Sequence, residues 1–147
     1  PPGFFKSSFD FAKKVFGDIK TLVTIYQWGS EVAPGITAFD TSGHTPGHTS
    51  FVIQSGQSKL IFQGDVANVP DLFLRNPEWQ GSFDVDGPLA VETRRRVFDQ
   101  AAADRALVQG YHFPYPASGN IVKTASGYDL PTTIRIAVSG CCRRRGP

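Results

Sequence analysis

The sequence predicts an α/β fold, and three observations carry that prediction. Two segments show the apolar period of amphipathic helices, several short runs are rich in β-branched and aromatic residues, and Gly/Pro turns separate them. A chain of 147 residues suits one domain rather than two, and 40% hydrophobic with 19% charged residues is an ordinary globular composition.

The elements follow in order. GFFKSSFDFAKKVFGD reads as a helix whose Phe5, Phe9, Ala12 and Phe16 share one face, with Gly17 as its stop. IKTLVTIY is β-branched enough for a strand, though it could also extend a helix, and APG then turns the chain. ITAFDT (36–41), SFVIQS and KLIFQG are strand-like, the last two joined by Gly56-Gln57 as a hairpin. DVDGPLAVETRRRVFDQAAADR has the strongest helix signature. Asp86 is placed to cap it, Pro88 suits its first turn, and Leu89, Thr93, Val97 and Ala101 line one face. ALVQG is a short buried strand and YHFPYPASGN a loop. IVKTA and TTIRIAV are then expected to pair around SGYDLP. The sheet is therefore expected to be mixed, with flanking helices.

Composition excludes several function classes. No apolar run approaches the ~20 residues of a membrane-spanning helix. The net charge of +2 comes from Arg143, Arg144 and Arg145; without them the fifteen Lys and Arg fall to twelve, against thirteen Asp and Glu. A nucleic-acid partner needs a basic folded face, so neither nucleic acid nor membrane is an expected partner. The only cysteines, Cys141 and Cys142, are adjacent and poorly placed to pair with each other. A reducing, cytoplasmic location is the expectation compatible with them, although the chain starts PPGFF and carries no information on targeting. Residues 1–138 are expected to form the domain, and 139–147 a disordered basic Cys/Arg tail.

The chemistry gathers in loops at strand ends. Two of the three histidines, His44 and His48, sit four residues apart in a Gly/Pro turn; Asp65 follows KLIFQG, and His112 follows ALVQGY. Strand-end loops can hold ligands rigidly while leaving them accessible. Imidazole nitrogen and carboxylate oxygen suit zinc and similar ions, and a carboxylate can bridge two of them. The spacing alone matches no compact ligand motif.

The ordered set GHTPGHTSF, FQGDV and GYHFPYP resembles the C-terminal half of a metallo-β-lactamase-fold hydrolase. The HFPYP loop and the TRRRVFDQAAAD helix narrow the resemblance to the branch of methyl parathion hydrolase and related lactonase-like enzymes, over about residues 4–130. It implies half of an αββα sandwich. It further implies that His48 binds one zinc ion, that Asp65 bridges two and sits at the catalytic centre, and that His112 binds the second. The reaction implied is attack of a metal-bridging hydroxide on a small-molecule ester, lactone or phosphotriester. On the same resemblance His44 holds the turn by hydrogen bonding rather than ligating, and Gly47 and Gly64 keep the backbone clear beside the ions. Phe73, Trp79, Phe83, Phe113 and Tyr115 could line an apolar substrate pocket, although core packing is the favoured reading for any one ring. Arg94, Arg95 and Arg96 fan around their helix and are read as a solvated face. Asn120 stands where relatives often carry histidine.

The HxHxDH motif that completes such a site is missing from this sequence, whose histidines are all at 44, 48 and 112. Each metal would then have two protein ligands where catalytic zinc usually has three. The isolated chain is therefore expected to be inactive as an enzyme. The alternative reading is an inactive half-fold acting as a homodimeric binding or assembly module, the second copy covering the sheet face left open.

Overall fold

The computed structural model describes residues 3–131, with side-chain environments from residue 6. The expected strand TTIRIAV, the cysteine pair and the tail 139–147 lie outside the described residues. Helix α1 (Gly3–Gly17) ends at the expected glycine, and a single 3-10 turn (Lys20–Leu22) follows it. Of the apolar stripe of α1, Phe9 and Phe16 stay outside the core, at 58% and 55% exposed. IKTLVTIY is neither strand nor long helix, since nothing among the described residues pairs with it beyond the 3-10 turn.

The sheet begins with β1 (Glu31–Ala33) and β2 (Ile36–Asp40), a hairpin around Pro34-Gly35. Gly35 takes a φ of +76°, and the Glu31 carboxylate accepts its N–H at 2.6 Å. A second hairpin, β3 (Thr49–Ser55) and β4 (Ser58–Gly64), forms around Gly56-Gln57 as expected. A short helix α2 (Pro70–Phe73) and the long helix α3 (Gly87–Asp104) then cross to β5 (Leu107–Gly110), which runs parallel to β4. Strand β6 (Ser118–Asn120) adds antiparallel to β5, giving a six-stranded mixed sheet in the order β1-β2-β3-β4-β5-β6. A separate ribbon pairs β7 (Val122–Lys123) with β8 (Tyr128–Asp129).

One sequence expectation is corrected here. Residues 118–120 were expected in a loop but form a strand, because the Asn120 amide donates to the carbonyls of Arg105 and Ala106, each at 3.1 Å, and stitches the segment to the start of β5. Val122–Lys123 pairs with Tyr128–Asp129, within SGYDLP, while its expected pairing with TTIRIAV falls outside the described residues.

Helix α3 forms as its signals require. Asp86 caps it by accepting the Leu89 N–H at 3.0 Å, and Arg105 closes it in the left-handed region at φ +50°. Thr93, Val97, Phe98 and Ala101 are buried, and Val97, Phe98 and Ala101 share one core with Ile61 of β4 and Val108 of β5. Val97, Phe98, Ile61 and Val108, fully buried, are each worth roughly 1.5–3 kcal/mol of apolar transfer. Leu89, the first residue of the expected stripe, is 38% exposed, and Ala90 is buried in its stead.

The arginine triplet is not one solvated face. Arg95 is exposed, and Arg96 lies over the Phe39 ring and donates to the Asp40 carbonyl at 2.7 Å. Arg94 is 1% exposed, because its helical position points inward and three backbone carbonyls are waiting for it.

Candidate metal centre

Sheet topology explains why distant residues meet. β2 and β4 are each antiparallel to β3, and β5 is parallel to β4, so the C-terminal ends of β2, β4 and β5 share one edge. The loop after β2 carries His44 and His48, the loop after β4 carries Asp65, and the loop after β5 carries His112. Asp65 Oδ1 lies 3.2 Å from His112 Nε2, and its Oδ2 lies 4.0 Å from His44 Nε2. The close His112 approach makes no hydrogen bond, and Oδ1 is buried without a hydrogen-bond partner among the described residues. A buried carboxylate oxygen without a donor is costly unless a cation satisfies it.

The two histidines of the Gly/Pro turn do different work. His48 Nε2 accepts the Asp65 backbone N–H at 2.9 Å. Its Nδ1 faces Thr41, 3.1 Å from the carbonyl and 2.8 Å from the hydroxyl. Because Nε2 accepts, the proton sits on Nδ1 and is donated to Thr41, and neither nitrogen is left over. Burial, then the neighbouring His44, pushes the His48 pKa below the ordinary imidazole value, in keeping with this neutral ring. His44 instead turns its Nε2 to Asp65 while its Nδ1 meets Asp84 Oδ1 at 3.0 Å. The two rings pack edge to face, with centroids 5.8 Å apart.

A buried lattice holds Asp65 in place. Thr41 Oγ1 lies 3.0 Å from Ser50 Oγ, which donates to the Gln63 carbonyl at 3.0 Å. The Gln63 side chain, fully buried, donates to the carbonyls of Gly64 and Ala67 and accepts the Ala67 N–H. Gly64 takes a φ of +61°, and a Cβ there would come within 2.8 Å of His48 Nε2. It makes room for the His48 ring. Gly47 has nothing within 4 Å of such a Cβ, so no crowding explains it.

The cleft over these groups measures about 770 Å³, and His44, Asp65, Asn68, Val69, Phe83 and His112 are among its walls. Of the five rings considered for a pocket, only Phe83 lines it. Phe73 lies 4.4 Å from the Arg94 guanidinium, and Phe113 is buried in the core. Trp79 and Tyr115 are 49% and 94% exposed and do not line the cleft. Asp84 and Arg94 were not singled out as site residues. Neither has a local motif, because their partners lie 40 residues away at His44 and 28 at Val66.

The donor chemistry fits a divalent cation in kind, with two imidazole Nε2 atoms and a carboxylate facing one another. It does not complete a site: among the described residues no group of three or more His, Cys, Asp or Glu closes to hold a metal ion. Two ions sharing Asp65 would each have one histidine beside it, one ligand short of the usual three.

No protein-family model and no curated protein matches this sequence. Solved structures do. The fold is that of metallo-β-lactamase-fold lactonases and hydrolases, over somewhat less than half of their length. The dizinc quorum-quenching lactonase AidC, solved with an L-homoserine product, aligns with a TM-score of 0.80 and 24% identity over 88% of this chain and 44% of its own. The hydrolase AbOPH of the β-lactamase superfamily aligns at 0.73 and 27% identity, over 81% of this chain and 40% of its own. A probable metal-dependent hydrolase from Staphylococcus aureus aligns at 0.56 and 23% identity, over 65% and 34%.

Proposed function

We propose that this chain carries part of the metal centre of a metal-dependent hydrolase, with His44, Asp65 and His112 as its donors. The observation that carries the reading is the buried, donor-free Oδ1 of Asp65 beside His112 Nε2, with His44 Nε2 facing the other oxygen. His48, the ligand inferred from the sequence motif, instead anchors the backbone beneath Asp65, both of its nitrogens being engaged within the chain. A divalent ion held there supplies Lewis acidity toward a substrate oxygen. Zinc is the ion we assign, since its donor preferences match and the AidC neighbour is dizinc. The substrate class is a small lactone, ester or phosphotriester, with Val69 and Phe83 offering apolar contact beside the centre. The centre is short of ligands, so full activity requires donors that the described residues do not supply.

Zinc retained after dialysis against a weak chelator, counted per chain, tests the assignment. Wild type is expected to retain metal, and His44→Ala, Asp65→Ala and His112→Ala to lose it. His48→Ala should retain a larger share than His44→Ala, because it loses an anchor rather than a donor. Equal retention by wild type and His44→Ala would sink the ligand set.

A second reading, an assembly module lacking activity, is favoured by one observation: among the described residues the sheet face away from α3 is open and apolar, with Ile53 38% exposed and Phe51 and Phe62 only half-buried.

A further inference from the structure

We infer that Asp84 is a positioning residue that sets the His44 ring with Nε2 toward Asp65, and that buried Arg94 holds Asp84 in that task. The consequence for metal rests on the proposed centre; the orientation of the ring does not.

Asp84 lies in the loop between α2 and α3, and its side chain is 2% exposed. A carboxylate can only accept, so the 3.0 Å contact of Oδ1 with His44 Nδ1 requires the ring proton on Nδ1. The lone pair is thereby left on Nε2, the atom that faces Asp65. The other oxygen, Oδ2, accepts the Gly81 N–H at 2.9 Å and lies 3.5 Å from Arg94 Nη2. Arg94 gives its remaining nitrogens to the carbonyls of Val66, Pro77 and Trp79, at 2.9, 3.0 and 2.6 Å. Val66 is the residue after Asp65, so one side chain from α3 ties down both the carboxylate that orients His44 and the loop that presents Asp65.

The His44 backbone is fixed from the same direction. Val85 N–H donates to the His44 carbonyl and Asp86 N–H to the Gly43 carbonyl, both at 3.0 Å, and Thr93 Oγ1 donates to the Ser42 carbonyl at 2.7 Å. Burying an ion pair of this kind is seldom a gain in stability over an apolar pair of similar size. Its geometry instead serves orientation, in the manner by which carboxylates fix the tautomer of ligating histidines.

Asp84→Asn gives a directional test. Oδ2 already meets two donors, so the amide oxygen takes that side and its NH₂ faces His44 Nδ1. That nitrogen must then accept, and the proton moves to Nε2. With three histidines in the chain, two-bond ¹H–¹⁵N spectra of metal-free protein at about pH 8, above the ordinary imidazole range, read each tautomer directly. Wild type is expected to show His44 protonated at Nδ1, and Asp84→Asn to show it protonated at Nε2. Asp84→Glu, which restores an acceptor, should return it to Nδ1. Zinc affinity should fall about 10- to 100-fold in Asp84→Asn. A wild-type His44 protonated at Nε2 overturns the inference without recourse to any variant. So does an Asp84→Asn protein that loses zinc with its tautomer unchanged, or one whose tautomer reverses while zinc affinity holds. If wild type takes up no zinc but shows the expected tautomers, the metal reading fails and the orientation stands.

Discussion

Four residues of separation put His44 and His48 into the same turn and into opposite roles. One ring meets two acceptors at Thr41 and a backbone donor at Asp65, the other a buried carboxylate at Asp84. Those partners are what distinguish the two rings, and the motif around them does not contain the distinction. Gly64 belongs to the same small assembly. Gly64→Ala forces a side chain into the left-handed region and against the His48 ring, so we expect a loss of about 1–2 kcal/mol from the backbone alone. Urea unfolding of the two proteins measures it, and an unchanged midpoint would show that the ring moves aside without cost.

At the scale of elements, α3 is the part on which most of the architecture leans. Its inner face packs on β4 and β5, its Arg94 reaches the site, and its outer flank ties down the β7–β8 ribbon. The tie is Asp99, which accepts hydrogen bonds from Lys123 and from the Tyr128 hydroxyl at 2.8 Å. These bonds hold the Asp99 pKa below its ordinary value, and burial beside Asp99 pushes that of Tyr128 up. A lowered carboxylate pKa contributes stability that is present above the unfolded-state value, near 3.8, and is lost as pH falls through the folded value. Asp99 is 48% exposed, so solvent screening keeps the effect to a fraction of a kcal/mol. Thermal melts of wild type and Asp99→Asn should differ at about pH 6 and converge only as pH falls below 3.8 and through the lower folded value. A gap that persists at low pH would mean Asp99 acts through packing rather than charge. Most of this framework was legible in advance. The period of α3, its Asp86 cap and the hairpin at Gly56-Gln57 are local signals that local physics decides. β6 was not legible, because what ties Ser118–Asn120 to β5 is a pair of hydrogen bonds donated by the Asn120 side-chain amide to the carbonyls of 105 and 106.

Among the described residues the sheet has one covered face and one open one. Val52, Ile61 and Val108 face α3, while their neighbours along the strands point to the opposite face. Register places Ile36, Ile53, Leu60 and Leu107 in one row there, with Ala38, Phe51 and Phe62 in the next. Tyr26 and Tyr111 stack edge-on against Phe51 and Phe62 and cover them only in part. The chain also spans less than half the length of the lactonase and hydrolase structures it matches. An apolar face of this kind favours association. Sedimentation velocity across a concentration series is expected to show self-association that Ile53→Lys weakens while leaving the circular dichroism spectrum unchanged. A monomer at every concentration would exclude a homodimer built on this face.

By itself the sequence determined the fold class, the positions of α3 and the central strands, and the gathering of His44, His48, Asp65 and His112 in strand-end loops. Each of these follows from periodicity, capping or turn chemistry among residues near one another. The tertiary structure alone decided which imidazole faces Asp65, why Gly64 must lack a side chain, and that Arg94 is an interior residue tied to Asp84 rather than a surface charge. Those are properties of contacts between residues 10 to 40 positions apart. They depend on where the ends of β2, β4 and β5 come to lie beside α3, which no stretch of the chain encodes locally.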